Sequence, residues 1–318
     1  MRRGGEFLEV APTGGSAPRS LLASVLAAAL ALSACTENAE SSARPEEKPG
    51  ADSSQSRGES IPQSSLLPDP LAGWSEDAPI VVAHGPDVPT AQQVAARFEG
   101  QQPEHWGLEV PGVRTRMSSD GIALTLDACG GSGGDGYDEE LIEGLVLRRV
   151  PATLFLNQRW VETHPAVARE LSENPLFEIA NHGTDHKPLS VNGESAYGIP
   201  GTSSALEVAQ EVRSNHLALK DLTGTPPRFF RSGTAHYDDV AVQIVEEFGE
   251  EVVGFDVNAD AGATLSAAAV RQQVVGAQPG SIIIAHMNQP QGETAEGLLA
   301  GIDDLLASGA RFTFIDGS

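Results

Sequence analysis

Six residues of types that bind metals or move protons stand at the ends of short apolar runs. Asp127 follows Ile122-Ala123-Leu124-Thr125-Leu126, and His182 and His186 lie just past Phe177-Glu178-Ile179-Ala180. Arg231 ends Arg228-Phe229-Phe230, Asp256 follows Glu251-Val252-Val253-Gly254-Phe255, and His286 follows Ser281-Ile282-Ile283-Ile284-Ala285. Any one of them alone reads as a satisfied structural residue or a solvated side chain; recurrence at five run ends does not. His182-Gly183-Thr184-Asp185-His186 sets two imidazoles four residues apart, close enough on one turn or tight loop to grip one cation. Neutral imidazole suits zinc and other first-row divalent ions, and a third protein ligand beside an open position makes such a site catalytic.

The elements that must position these residues alternate regularly. Between the apolar runs lie helical patterns: Leu141, Ile142, Leu145 and Val146; Val161, Val167, Ala168 and Leu171; Val208, Val212, Leu219 and Leu222; Val240, Ile244, Val245 and Phe248; then stretches around Val270 and from Leu298 to Leu306. With Ala152-Thr153-Leu154-Phe155-Leu156 and Phe312-Thr313-Phe314-Ile315, seven strand signals predict an α/β fold on a parallel sheet, closed into a barrel or open. In either topology a site belongs in the loops after the C-terminal strand ends. Glycines 130, 131, 133, 134 and 136 make a loop without the strand-to-helix register of a phosphate site.

From about Ser118 to the C-terminus the chain resembles the polysaccharide deacetylases with a NodB homology domain, carbohydrate esterase family 4. Leu124-Thr125-Leu126-Asp127 is similar to the first family motif and His182 to His186 to the second. Phe230-Arg231-Ser232-Gly233 falls where the third, arginine-bearing motif belongs; Gly254-Phe255-Asp256-Val257-Asn258 matches the fourth loosely and Ile282-Ile283-Ile284-Ala285-His286 the fifth. The resemblance implies a distorted (β/α) barrel of about seven parallel strands. It also implies one divalent ion, zinc or another first-row metal, used to remove N- or O-acetyl groups from a polysaccharide such as cell-wall glycan or a chitin-like polymer. His182 and His186 would hold the ion, Asp127 would serve as base, and Arg231 would orient Asp127 and keep it ionised. His286 would be the general acid with Asp256 fixing its tautomer, and a backbone N–H at Thr234 would meet the oxyanion.

Two departures bear on activity. The family pairs two aspartates at the end of the first strand, the second a metal ligand, and here that position is Ala128; the third motif also lacks its usual prolines. The missing ligand is expected from Asp127 itself or from Asp138, which reads either as a helix N-terminal carboxylate or as a ligand folded back over the glycine loop. Cys129 is expected to pack as a small buried thiol rather than to ligate the metal. Two other functions fit the same residues: a catalytically impaired carbohydrate-binding lipoprotein of this fold, and a hydrolase of non-carbohydrate amides.

The N-terminal residues read as an address. Arg2, Arg3 and Arg19 precede an apolar run from Leu21 to Leu32, shorter than the ~20 residues of a spanning helix. The expected division is a signal peptide over 1–34, a tether over 35–77, an N-terminal extension over 78–117 and the deacetylase domain over 118–318. Leu32-Ser33-Ala34-Cys35 resembles a bacterial lipobox, which implies lipidation at Cys35 and an extracytoplasmic, membrane-anchored protein. The tether is rich in Ser, Glu, Pro, Gly and Gln and cannot bury enough apolar surface to order itself. A net charge of −24, from 44 acidic and 20 basic residues, argues against nucleic acid or anionic lipid as the main partner. Trp74, Trp106 and Trp160 are taken as core or rim residues.

Overall fold

The computed structural model describes residues 88–316. Its core is a parallel sheet of β1 (Ile122–Ala128), β2 (Ala152–Leu156), β3 (Phe177–Asn181), β4 (Phe229–Phe230), β5 (Glu251–Val252), β6 (Val257–Asn258) and β7 (Ile282–His286), with a short β8 (Phe312–Thr313). Seven strands follow one another across the sheet in the order β6-β7-β1-β2-β3-β4-β5, and β8 pairs with Ile122 and Ala123 at the start of β1. The chain leaves one edge at Val252 and joins the opposite edge at Val257, so residues 253–256 bridge the two edges of a sheet curled into a half-barrel.

The expected α/β fold is therefore present, with one difference at the fifth strand. The run 251–255 is split, because the edge strands are only two residues long and the chain crosses the gap before pairing again. Residues before the barrel help to fill that gap. Arg114 bridges to Val253 and Arg116 to Ser281, while the Arg114 guanidinium pairs with Glu251 at 2.6 Å and Asp316 at 3.0 Å.

All seven residues of β1 are buried, as expected for a strand covered on both faces. Strand alternation divides them. Leu124, Leu126 and Ala128 join the helix-side core with residues of α1 (Glu139–Arg148), α2 (Gln158–Thr163), α3 (Pro165–Glu173), α4 (Ala205–Thr223), and the later helices Ala267–Val275 and Thr294–Ala307. Ala123 instead packs in a second cluster with Phe155, Ala180, Phe229, Val253 and Ile282. Thr125 and Asp127 share the face of Ala123, which aims Asp127 along the barrel interior toward the C-terminal strand ends. Among the described residues no helix is long and apolar enough to cross a membrane. Trp74 and Cys35, with the signal, lipobox and tether, lie outside the described residues.

Candidate active site

Arg231 is the polar centre of the barrel. It is fully buried, and its guanidinium donates from Nε to the Val253 carbonyl at 3.1 Å and from Nη2 to the Gly254 carbonyl at 2.9 Å. Nη1 donates to Thr125 Oγ1 at 2.9 Å and to Asp127 Oδ1 at 2.7 Å. The same group stacks over Phe155, 4.1 Å from the ring centroid. Burial alone would raise the Asp127 carboxyl, but the charges of Arg231, His182 and His286 and the Arg231 hydrogen bond hold it below its usual range. Asp127 is thus kept ionised in a nearly dry place.

His182 follows β3, and its Nδ1 faces the Arg231 carbonyl at 2.9 Å. A proton on Nδ1 leaves the Nε2 lone pair pointing into the site, the usual way a protein fixes a ligating imidazole. That Nε2 lies 3.7 Å from Asp127 Oδ2 and 3.8 Å from Cys129 Sγ. His186 stands edge-on to His182 with ring centroids 5.0 Å apart, its backbone left-handed at φ 61°. The backbone of Gly233 packs so closely here that a Cβ would fall 2.4 Å from the His186 carbonyl carbon. A buried carboxylate holds the loop between the histidines: Glu211 accepts the backbone N–H groups of Thr184, Asp185 and Lys187 at 2.9–3.2 Å. Glu211 was invisible in the sequence because it lies inside a helix, α4, far from the motif it supports.

His286 ends β7 directly beside Asp127 in the sheet register. Its partner is Asp260 and not Asp256: Nδ1 lies 2.9 Å from Asp260 Oδ1, while Oδ2 accepts the His286 backbone N–H at 2.8 Å and the Thr294 hydroxyl at 3.2 Å. Burial would lower the His286 pKa, but the bonds and charges of Asp260 and Cys129 hold it well above its ordinary value. Asp256 sits at the other end of β7, paired with Arg116 and accepting Ser281 Oγ at 2.9 Å and the Ile282 N–H at 2.7 Å. The expected strand 251–255 makes Asp256 look like a strand-end carboxylate. The true strand is β6, and the carboxylate beyond its end is Asp260.

The Asp138 alternative as metal ligand is also corrected. Asp138 is the N-cap of α1, its Oδ1 accepting the Leu141 N–H at 3.0 Å, and it lies outside the group of potential ligands that converge here. Ala128 is no vacancy to be filled, since its methyl is buried in the helix-side core. The convergent group is Cys129, His182 and His186, each offering one atom within 4.8 Å of the others. His186 Nε2 is buried with no hydrogen-bond partner among the described residues. An orphaned imidazole nitrogen beside a second aimed imidazole and a thiol is a donor set that fits a first-row divalent ion. Cys129, expected to pack rather than to ligate, is partly buried at the site. Burial would push its thiol up, yet the His186 charge and the bonds of His182, His186 and His286 draw it well below its usual range.

Two clefts meet over this centre. One, of about 390 Å³, is lined by Asp127, Tyr197, Thr234 and Asn258; the other, of about 380 Å³, by Cys129, Gly130 to Gly134, Arg159 and Asn288. Both include His186, Gly262 and His286. The Thr234 carbonyl accepts from His236 at 2.7 Å, and its hydroxyl has no partner among the described residues. Trp160 is core, donating from Nε1 to the Gly136 carbonyl at 2.8 Å, and Trp106 is half-buried.

Residues 114–253 match the family model described as polysaccharide deacetylase, and the match supports a domain of the NodB/CE4 deacetylase type in this chain. Among solved structures the fold is similar to that of a CE4 family pseudoenzyme from Bacillus anthracis, at 22% identity and TM-score 0.53 over 65% of this chain and 68% of that one. It is also similar to that of PdaA from Bacillus subtilis, a family 4 carbohydrate esterase, at 19% identity and TM-score 0.52 over 71% of this chain and 86% of that one. Identities this low speak for the fold alone. A curated relative, the uncharacterized protein YlxY of Bacillus subtilis, is 20% identical over 172 residues, 54% of this chain; the match spans only about half of YlxY's own length, 50%.

Proposed function

We propose that the protein is a metal-dependent hydrolase that removes acetyl groups from a carbohydrate polymer. The observation that carries the reading is geometric: Asp127, bound by Arg231, and His286, bound by Asp260, stand side by side at the strand ends beside the paired rings of His182 and His186. His182 and His186 are the residues that would hold the ion. Bound there, a divalent ion lowers the pKa of its water toward ~7 and polarises the acetyl carbonyl. Asp127 takes the proton of the attacking water, and the Arg231 pairing keeps it available as a base. His286 gives its Nε2 proton to the departing nitrogen or oxygen, with Asp260 fixing the tautomer by binding Nδ1. The backbone at Thr234, lining the cleft beside Asp127, is the proposed oxyanion donor.

A polymer is the favoured substrate because the clefts run to both sides of the reacting groups and Tyr197 stands exposed at the rim of one. The test is acetate release from N-acetylglucosamine oligomers, peptidoglycan and small acetamides, each with zinc, with cobalt and with no added metal. Metal-dependent release from the glycans supports the reading. Release from small amides alone would point to the non-carbohydrate hydrolase. Glycan binding without release would point to the carbohydrate-binding lipoprotein, a reading motivated by Ala128. The proposal extends to location: lipid on Cys35 would anchor the domain outside the cytoplasm. Cys35→Ser should then move the protein from the membrane fraction to the soluble one, and a mutant that stays in membranes refutes the anchor.

A further inference from the structure

We propose that Cys129 is the third protein ligand of the metal, as a thiolate, so that the centre is a His2Cys site. The inference rests on the metal-dependent reading and names the donor that the missing second aspartate leaves open. Three observations converge. First, Cys129 directly follows Ala128 at the end of β1, and strand alternation sets it on the face of Asp127, opposite the one that buries Ala128. Second, a tetrahedral ion with a metal–sulfur bond of ~2.3 Å and a metal–nitrogen bond of ~2.0–2.1 Å sets sulfur and nitrogen about 3.6 Å apart. Cys129 Sγ lies 3.8 Å from His182 Nε2, a few tenths of an ångström away, and the third donor is within 4.8 Å of both. Third, the competing carboxylates lie outside the set of donor atoms that converge within 4.8 Å of one another: Asp127, one oxygen of which is bound by Arg231, and Asp138, which caps a helix.

The charge balance agrees. Two neutral imidazoles leave a divalent ion at its full charge, whereas a thiolate removes one unit, as the aspartate of the family pattern does. What changes is softness. Thiolate with imidazole suits zinc and cobalt and disfavours magnesium, calcium and manganese, the ions of oxygen-donor sites. With Cys129 as ligand, Asp127 remains free to act as a base.

The experiment reads metal binding rather than turnover. Cobalt(II) is titrated into the full-length protein under reducing, anaerobic conditions, with parallel titrations of Cys129→Ala, Cys129→Asp, Asp127→Asn and Cys35→Ser. A thiolate–cobalt charge-transfer band in the near ultraviolet is expected in the unaltered protein, in Cys35→Ser and in Asp127→Asn. It should be absent from Cys129→Ala, whose affinity falls by at least the ~10–100-fold that even an outer partner contributes. Cys129→Asp should recover binding without the band, which separates lost ligation from lost folding. A wild-type band and affinity in Cys129→Ala would overturn the inference. So would the absence of the band from the unaltered protein, or its loss in Asp127→Asn with retention in Cys129→Ala. The metal-dependent function fails separately, if protein showing the band releases no acetate from any glycan.

Discussion

The molecule contains two buried histidine–carboxylate pairs with nearly the same contact and opposite electrostatics. At the strand ends, His286 Nδ1 meets Asp260 at 2.9 Å; in the wall behind, His216 Nδ1 meets Glu250 at 2.6 Å. Burial raises both carboxyls, but for Asp260 the bond and charge of His286 and the N–H groups of His286 and Ala263 prevail, and its pKa is lowered. For Glu250, burial outweighs His216 and Asn181, and the pKa is pushed up to about 7. The difference lies in the remaining donors. Asp260 has backbone N–H groups and the Thr294 hydroxyl, while Glu250 Oε2 has no partner among the described residues. A buried carboxylate beside a histidine therefore stays ionised only where its other lone pairs also find donors.

The comparison is tested most severely by removing each histidine. His286→Ala is expected to lower kcat by roughly 10²–10⁴-fold, the range for a general acid, with cobalt or zinc binding retained. His216→Ala should cost stability, with turnover per folded molecule close to that of the unaltered protein. Equal losses of turnover in both variants would remove the distinction between the pairs.

A smaller effect separates Asp260 from Asp256. The proposed mechanism needs Asp127 ionised and His286 protonated, so its pH profile should rise below the usual carboxylate range and fall well above the ordinary histidine value. Asp260→Asn removes the charge that holds the proton on His286. Its alkaline limb should move to lower pH, and each unit of movement cuts the protonated fraction above it about tenfold. Asp256→Asn should leave that limb in place, since Asp256 binds Arg116, Ser281 and Ile282. A shift in Asp256→Asn and none in Asp260→Asn would reverse the assignment.

The inner pair makes a prediction about stability. Burial pushes the Glu250 carboxyl up to about 7 from the ordinary glutamate value of 4.5. Between those values the folded state binds more protons than the unfolded one, so stability falls as pH rises through the window. The contribution of the neutral carboxyl is fully present below 4.5 and lost above about 7. Glu250→Gln keeps the shape and cannot ionise. Its unfolding free energy in urea should vary less between about pH 5 and 8 than that of the unaltered protein, by an amount on the order of 1–3 kcal/mol. An unchanged slope would show that Glu250 is not the group titrating.

What the sequence made legible divides along physical lines. Asp127, Arg231 and His286 could be placed because long apolar runs in β1 and β7, or the aromatic pair Phe229-Phe230, point at them unambiguously. Asp260 could not, because β6 is two residues long and its neighbours Asn258 and Ala259 carry no strand signal of their own. The only available cue was its position as an acidic residue shortly after the fourth motif, and the motif itself already offered Asp256. Cys129 was legible only in part, for a different reason. A single thiol has two ordinary fates, packing and ligation, and only the fold brings it to 3.8 Å from His182 Nε2 and within 4.8 Å of a His186 nitrogen. Asp138 shows the converse, since its capping role follows from the helix start at Glu139 and needs no tertiary contact.

The smallest effect concerns aromatic contacts at the mouth and in the wall. In the wall His216 packs against Phe248 with centroids 6.3 Å apart, closed off from any ligand. At the mouth Tyr197 tips a hairpin formed by Ser195–Ala196 and Ile199–Pro200, edge-on to His236 at 5.1 Å, and remains 78% exposed. Its backbone is left-handed at φ 53°, as the two-residue turn Tyr197-Gly198 of this hairpin requires. The ring lines the same cleft as Asp127 and His286, so it is placed to stack on a sugar unit beside the one being deacetylated. Aromatic stacking is worth ~0.5–1.5 kcal/mol, so Tyr197→Ala should raise KM for a glycan oligomer roughly 2–12-fold while kcat changes little. Tyr197→Phe should restore the oligomer KM, and neither change should affect a small acetyl ester that reaches only the reacting groups. A rise in KM for the small ester as large as that for the oligomer would mean that Tyr197 shapes the centre itself and does not bind a second sugar.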